Sequence, residues 1–187
     1  KVLQAIAERF HHQFRLHYFD IGAAAIEKYG TPLPTHTLEG VERCDAILFG
    51  AVGDPKYDDQ TTVQTRPEQG LLQLRKKLGL FANIRPVRTV NSLLHLSPLK
   101  KERVKNVDFI IYRELTSGIY FGEKGRNADG SAYDVTTYHP REIERIARLA
   151  FKQASKRRGK LTLVGKANVL ETSLLWRETV SKMAQNY

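Results

Sequence analysis

The chain has 187 residues, a formal net charge of +10, 41% hydrophobic residues and 27% charged residues. This length can bury a substantial core, and the composition is typical of a globular protein. No apolar run approaches the ~20 residues that span a bilayer, and no signal-peptide pattern opens the chain, so we predict no membrane partner and a cytoplasmic location.

Apolar spacing and turn residues predict helices and strands that alternate along the chain. Helices are predicted over residues 2–10, 23–30, 37–43, 67–78, 141–158 and 168–184. Extended strands are predicted over residues 14–20, 46–52, 82–90, 109–114 and 161–164. Residues 46–52 are nearly all apolar, which predicts a strand covered on both faces, and residues 109–114 are predicted to form a second buried strand. Residues 118–140 predict a strand, a loop and a second strand, and the whole alternation predicts an α/β fold.

Two features of the composition carry no predicted function. Cys44 is the chain's one cysteine, which excludes an intramolecular disulfide, and we expect its thiol to be buried. The basic residues near the end of a predicted helix are Lys156, Arg157, Arg158 and Lys160. Cations favour a helix C-terminus, and no aromatic residues are interleaved with them, so they predict a solvated helix end and no nucleic-acid partner.

The segment from Arg66 to Val87, RPEQGLLQLRKKLGLFANIRPV, has the strongest chemical pattern. Arg75 lies near the end of its predicted helix, and Arg85 lies in the extended segment that follows. The planar guanidinium group of arginine can donate two hydrogen bonds to one carboxylate. Two elements can therefore direct guanidinium groups at one small dianion. The alternative is that these are ordinary surface arginines.

Four motifs, in this order, together resemble one family. They are CDAILFGAVGDPKYD, LLQLRKKLGLFANIRPV, VDFIIYRELTSGIYFGEKGR and GKANVLETSLLWRETV. They resemble the isocitrate/isopropylmalate dehydrogenase family, whose members decarboxylate 2-hydroxy acids oxidatively. The resemblance implies an isopropylmalate-dehydrogenase-like two-domain sheet architecture, of which this chain is an incomplete portion. Residues 1–93 would belong to the first, cofactor- and substrate-binding domain, and 94–187 to a dimer-forming second domain with an arm at about 119–140.

The resemblance also implies an activity and the residues that perform it. The activity is NAD-dependent, metal-assisted conversion of 3-isopropylmalate to 4-methyl-2-oxopentanoate, a step of leucine biosynthesis. Tyr120 and Lys166 match the family's catalytic residues. The implied substrate-binding residues are Arg75, Arg85, Arg113, Leu71, Leu72 and Val169. Glu68 and Asn168 match cofactor-binding positions.

The resemblance implies cofactors and a partner as well. NAD and a Mg²⁺ or Mn²⁺ ion are implied, and the intact family forms homodimers in which Lys166 reaches the neighbouring subunit's site. No carboxylates here have convincing metal-ligand spacing, so we assign no metal ligand and expect the ligands beyond Tyr187. Gly165 stands where the family usually has an acidic residue. Because the family's metal carboxylates are not among these residues, this chain by itself is expected to have little activity.

Two alternatives stay open. One is a related enzyme that acts on tartrate, malate or homoisocitrate. The other is a non-catalytic dimerisation relic that has kept the arm. Leu71 and Leu72 favour an isopropyl tail over the additional carboxylate of isocitrate, because an apolar pocket strongly rejects a charge.

Overall fold

The computed structural model describes residues 1–58 and 65–187. The chain divides into two compact units, Lys1–Leu74 and Arg75–Tyr187. The predicted family boundary near Leu93 stays a prediction. In the described part of the chain, no helix has the length and apolar character needed to cross a membrane.

The first unit is helical. Its elements are α1 (Val2–Phe10), α2 (Ala23–Tyr29), α3 (Thr35–Val41), a 3-10 turn (Pro55–Tyr57) and most of α4 (Pro67–Lys77). Gly30 ends α2 in the left-handed conformation, as its position predicts. The Thr37 hydroxyl is buried and donates to the Asp20 carbonyl at 2.9 Å, which ties α3 to the segment before α2. Ala23 and Ala25 of α2 and Val41 of α3 are buried in this unit.

The strands predicted over 14–20 and 46–52 were wrong. Neither range contains a strand, and Leu48 is 84% exposed. A strand forms only when a second strand satisfies its backbone hydrogen-bonding groups. In the described part of the first unit, the Val52 carbonyl instead accepts from the Ala23 N–H at 2.9 Å. Cys44 is half-buried rather than buried, and its thiol donates to the Gly40 carbonyl at 3.4 Å.

The second unit contains two antiparallel strand pairs and the longest helices. Its strands are β1 (Ala82–Arg88), β2 (Asp108–Glu114), β3 (Lys124–Arg126) and β4 (Ala132–Asp134). β1 pairs with β2, and β3 pairs with β4. Its helices are α5 (Lys101–Val104), α6 (Pro140–Ser155) and α7 (Glu171–Ala184), with 3-10 turns at Asn91–Leu96 and Gly118–Tyr120. The β3–β4 hairpin confirms the strand, loop and strand predicted over 118–140.

The core of the second unit lies between α6 and α7. Pro140 occupies the first turn of α6, as predicted, and a capping box between His139 and Glu142 satisfies its N-terminus. The buried core residues are Ile143, Ala147, Phe151 and Val180. Tyr138 packs edge-on against Trp176, with ring centres 5.5 Å apart. This core holds α6 firmly beside the end of β2.

Three predictions for the second unit need correction. Residues 161–164 form no strand, and β2 is not buried on both faces, since Phe109 and Ile111 are 45% and 47% exposed. In the described residues, the single ladder of β2 is with β1, so one strand edge stays unpaired and the second face is open. The basic helix end is not wholly solvated either. Arg157 forms an ion pair of 2.8 Å with Asp108, and this contact lowers the pKa of that carboxyl group.

We predict that Gly122→Ala destabilises the arm. A Cβ atom at Gly122 would lie 1.7 Å from the Val135 carbonyl oxygen, so the backbone must move. The free energy of unfolding, measured in urea, should fall by about 1–3 kcal/mol. Gly50→Ala is the matched control, because nothing lies within 4 Å of the added atom there. Equal losses in the two variants would contradict the packing described for Gly122.

Candidate functional site

The register of β1 and β2 brings two of the predicted arginines to one face of the sheet. Asn83 lies opposite Arg113, and Arg85 lies opposite Ile111. Residues opposite each other share a face, so Arg85 and Arg113 are diagonal neighbours within reach of long side chains. Arg113 lies inside β2, as the strand predicted over 109–114 implies.

Arg75 completes a cluster of three arginines. It lies in the last turn of α4, where the positive charges of Arg113 and Arg85 act on its guanidinium group. Partial burial first, and then repulsion by these two charges, lowers the pKa of Arg75 below the ordinary arginine value. In the described residues none of the three forms an ion pair with a carboxylate. The cluster is therefore suited to an anionic ligand.

Asn83 orients one member of the cluster, and the sequence analysis missed it. The Arg85 Nε donates to the Asn83 Oδ1 at 2.6 Å. This bond fixes one edge of the guanidinium group and leaves its terminal nitrogens to donate elsewhere. The available signal was the two-residue spacing of Asn83 and Arg85, which puts them on the same face of a strand.

Tyr120 lies against the arginine cluster. The guanidinium carbon of Arg113 is 4.9 Å from the centre of the Tyr120 ring, a cation–π contact. Tyr120 is 49% exposed and ends a 3-10 turn that begins at Gly118. Arg113 and Tyr120 line the same cavity of about 1080 Å³. A phenol that can hold or release a proton thus lies beside a cationic site.

Glu114 and Arg145 support this pair from the opposite side of β2. The Glu114 side chain is 1% exposed, and its carboxylate accepts from the Arg145 Nη2 at 2.5 Å. It also accepts from the Thr116 and Ser117 backbone N–H groups, at 2.8 and 2.9 Å. Sequence analysis missed both charged residues, although a glutamate at the end of a strand, directly after Arg113, was a visible signal.

The remaining predicted residues of the second unit lie in a turn before α7. Lys166, Asn168 and Val169 are exposed, and the Val169 N–H closes the turn on the Lys166 carbonyl at 3.0 Å. Asn168 lines a cavity of about 660 Å³. Gly165, which precedes the lysine, lines both this cavity and the larger one that Arg113 lines. No recorded contact within the described residues joins Lys166 to the arginine cluster.

The other predicted residues lie on α4, in the first unit. Glu68 is in the first turn and is exposed, whereas Leu71 and Leu72 are half-buried. A Cβ atom at Gly53 would lie 3.4 Å from the Glu68 carboxylate, so this carboxylate approaches the loop that follows residues 46–52. The contacts of Glu68, Leu71 and Leu72 with a ligand stay a prediction.

The described residues do not provide a metal site. Over residues 1–58 and 65–187, no group of three histidine, cysteine, aspartate or glutamate residues could hold an ion. The buried carboxylate beside Arg113, that of Glu114, is also engaged with Arg145. These residues therefore do not fit a divalent cation, and we assign no chemistry of the chain to one.

Comparison with known proteins identifies the family. The family model described as isocitrate/isopropylmalate dehydrogenase matches residues 1–187. The chain belongs to this family, which is one of oxidoreductases. The predicted resemblance and the predicted α/β fold class are thus confirmed.

Individual relatives agree with this assignment. The chain is 52% identical to the 3-isopropylmalate dehydrogenase of Bacteroides fragilis (strain YCH46), over all of this chain and 53% of that protein. It is 51% identical to that of Bacillus subtilis (strain 168), over all of this chain and 52% of that protein. The chain therefore spans about half the length of the curated relatives that it matches.

Solved structures of the family have the same fold. Isocitrate dehydrogenase from Methylococcus capsulatus matches with a TM-score of 0.78 and 30% identity, over 97% of this chain and 51% of that one. A β-decarboxylating dehydrogenase from Thermococcus kodakarensis matches with a TM-score of 0.66 and 31% identity, over 99% of this chain and 51% of that one.

We predict that Arg85→Gln weakens anion binding without lowering the free energy of unfolding. Removing one of three mutually repelling charges should leave the free energy of unfolding within about 0.5 kcal/mol, or raise it slightly. The increase in melting temperature caused by a dicarboxylate such as malate should be mostly lost, because a ligand stabilises only the state that binds it. Differential scanning fluorimetry measures both effects.

Arg88→Gln is the matched control for this experiment. Arg88 lies on the same strand and is 77% exposed, but it faces Asp108 rather than the cluster. It should keep the full response to malate. Equal loss of the response in both variants would show that the effect is only one of net charge.

Proposed function

We propose that the full-length protein catalyses the NAD-dependent, metal-assisted oxidative decarboxylation of 3-isopropylmalate to 4-methyl-2-oxopentanoate, in leucine biosynthesis. The observation that carries the proposal is the cluster of Arg75, Arg85 and Arg113 beside the Tyr120 phenol. Curated relatives about 50% identical over the whole of this chain are named for this substrate, which supports the same choice.

The arginines would bind the two carboxylates of the substrate. Three positive charges with no carboxylate partner among the described residues can compensate a dianion without a large rearrangement. Asn83 holds Arg85 in place before the ligand arrives, so less side-chain freedom is lost on binding. Removal of water by the ligand would strengthen each of these interactions.

Two residues would handle protons. The reaction removes the C2 hydroxyl proton and a hydride from C2, and bound NAD supplies the hydride acceptor. We assign Lys166 to the hydroxyl proton. When the carboxylate on C3 leaves as carbon dioxide, its bonding electrons stay on the substrate as an enolate, and Tyr120 would donate a proton to C3. The Arg113 guanidinium carbon, 4.9 Å from the centre of the Tyr120 ring, would keep this ring beside the substrate.

Residues of α4 and of the turn before α7 would set specificity and bind the cofactor. Leu71 and Leu72 would contact the isopropyl group, and Glu68 the nicotinamide. Lys166, Asn168 and Val169 are exposed, with Val169 67% accessible, which suits residues that complete the site of a second subunit in a homodimer. A cytoplasmic location is part of this proposal and rests on the family.

The substrate is tested by NADH formation in the full-length protein with Mg²⁺ or Mn²⁺ present. We expect turnover of 3-isopropylmalate with kcat/KM at least about tenfold above that for malate or tartrate, because a pocket gains roughly 1–3 kcal/mol from one well-placed apolar group. Preference for malate, tartrate or homoisocitrate would overturn the substrate. Absence of turnover with all of them would favour the non-catalytic relic.

The proton donor is tested by Tyr120→Phe. This change keeps the ring against Arg113 and removes the hydroxyl group, so KM should change little while kcat falls about 10²-fold or more. Tyr133→Phe is the matched control, since the Tyr133 hydroxyl donates to Glu123 on the arm. It should retain the wild-type kcat. Wild-type kcat in Tyr120→Phe would remove the role assigned to this phenol.

A further inference from the structure

We propose that Arg145 and Glu114 are positioning residues that hold Tyr120 against Arg113. This inference rests on the proposed function, because it assigns these residues to the same site. Its physical basis is an ion pair between the buried Glu114 carboxylate and the half-buried Arg145, which connects α6 to the end of β2 and to the loop leading to Tyr120.

The chain between Arg113 and Tyr120 is short and passes directly through Glu114. Glu114 directly follows Arg113, and the loop from 115 to 117 leads into the 3-10 turn that ends at Tyr120. The Glu114 carboxylate accepts from the backbone N–H groups of Thr116 and Ser117 and from the Thr116 hydroxyl, the last at 2.7 Å. It therefore fixes the direction in which the chain leaves β2, and this direction sets where Tyr120 lies.

Arg145 attaches this loop to the helical core. Its Nη2 donates to Glu114 and to the Thr116 hydroxyl oxygen. Its guanidinium carbon lies 4.7 Å from the centre of the Phe81 ring, and the Phe81 carbonyl accepts from the Leu115 N–H at 2.8 Å. One guanidinium group thus contacts the residue before β1, the residue that ends β2 and the loop after it.

The cost of this arrangement points to a role beyond stability. The Glu114 side chain is 1% exposed, so its charge is removed from water, whereas the Arg145 side chain is 37% exposed. The Arg145 Nε is nevertheless buried, with no hydrogen-bond acceptor among the described residues. Apolar residues in such a position often stabilise a protein as well as an ion pair does. An ion pair, however, fixes the direction in which the chain leaves β2, because its hydrogen bonds have a defined geometry. Apolar contacts have no such defined geometry.

The 3-10 turn Gly118–Tyr120 depends on the direction in which the chain leaves β2. Gly118 has φ +77°, and a Cβ atom there would lie 2.3 Å from the Tyr138 hydroxyl. Its N–H donates to the Thr137 carbonyl at 3.0 Å. The turn is thus confined between Glu114 on one side and the segment before α6 on the other. A change in the exit from β2 would move Tyr120 relative to Arg113.

A readout that does not depend on activity tests the proposal. In the full-length protein with ¹⁵N-labelled arginine, the Tyr120 ring should shift the Arg113 Nε–H resonance by its ring current, and Tyr120→Leu assigns this shift. Arg145→Lys keeps the charge but loses the planar fork, and Thr116→Val removes only one hydroxyl. We expect Arg145→Lys to lose most of the shift and Thr116→Val to lose part of it.

Kinetics distinguish positioning from mere stability. At a temperature where all variants are folded, Arg145→Lys should lower kcat about tenfold or more and change KM less than about threefold. Arg148→Lys, an exposed position on the same helix, is the control and should match the wild type in both measurements. A variant that melts earlier but keeps the Arg113 shift and the wild-type kcat would overturn the proposal.

The two measurements also separate this proposal from the proposed function. If the wild type does not turn over 3-isopropylmalate but Arg145→Lys still loses the Arg113 shift, the positioning stands and the assigned reaction fails. If the shift persists in Arg145→Lys, Glu114→Gln and Thr116→Val, the positioning fails whatever the activity is.

Discussion

The buried carboxylate of Glu114 is the contact on which the described site depends. It accepts hydrogen bonds from the Arg145 side chain on α6, from the Thr116 and Ser117 backbone N–H groups and from the Thr116 hydroxyl group. Together these four donors use the acceptor capacity of a carboxylate. The strand that carries Arg113 and the turn that carries Tyr120 both meet at this group. The site is therefore built around an anion that does not itself belong to the ligand-binding surface.

On the opposite face of the β1–β2 pair, positive charges lie close together without an anionic partner among the described residues. Arg75, Arg85 and Arg113 repel one another, and partial burial increases the cost for Arg75. Such a cluster lowers stability in the absence of ligand and is compensated when an anion binds. The α6–α7 core, built on residues such as Ile143 and Val180, supplies apolar packing that this unit needs to retain the cluster. One face of the sheet thus packs on the core, and the other carries the arginine cluster that we propose binds the substrate.

The success of prediction from sequence depended on how local each interaction is. The helix that begins at Pro140 and the β3–β4 hairpin were predicted because caps, turns and apolar spacing act over a few residues. The strands predicted over 14–20, 46–52 and 161–164 were wrong because pairing requires a second strand, and apolar composition does not say which one. The family motifs identified Arg75, Arg85, Arg113 and Tyr120, but not the residues that orient them.

The sequence by itself determined the family, the helices and the residue types available for binding an anion. It also indicated that Arg75 and Arg85 come from different elements. Only the tertiary structure decided that Arg85 and Arg113 share a face, since this depends on the register between β1 and β2. It alone paired Glu114 with Arg145, which are 31 residues apart. Register and long-range pairing follow from the packing of whole elements, and no local pattern in the chain encodes them.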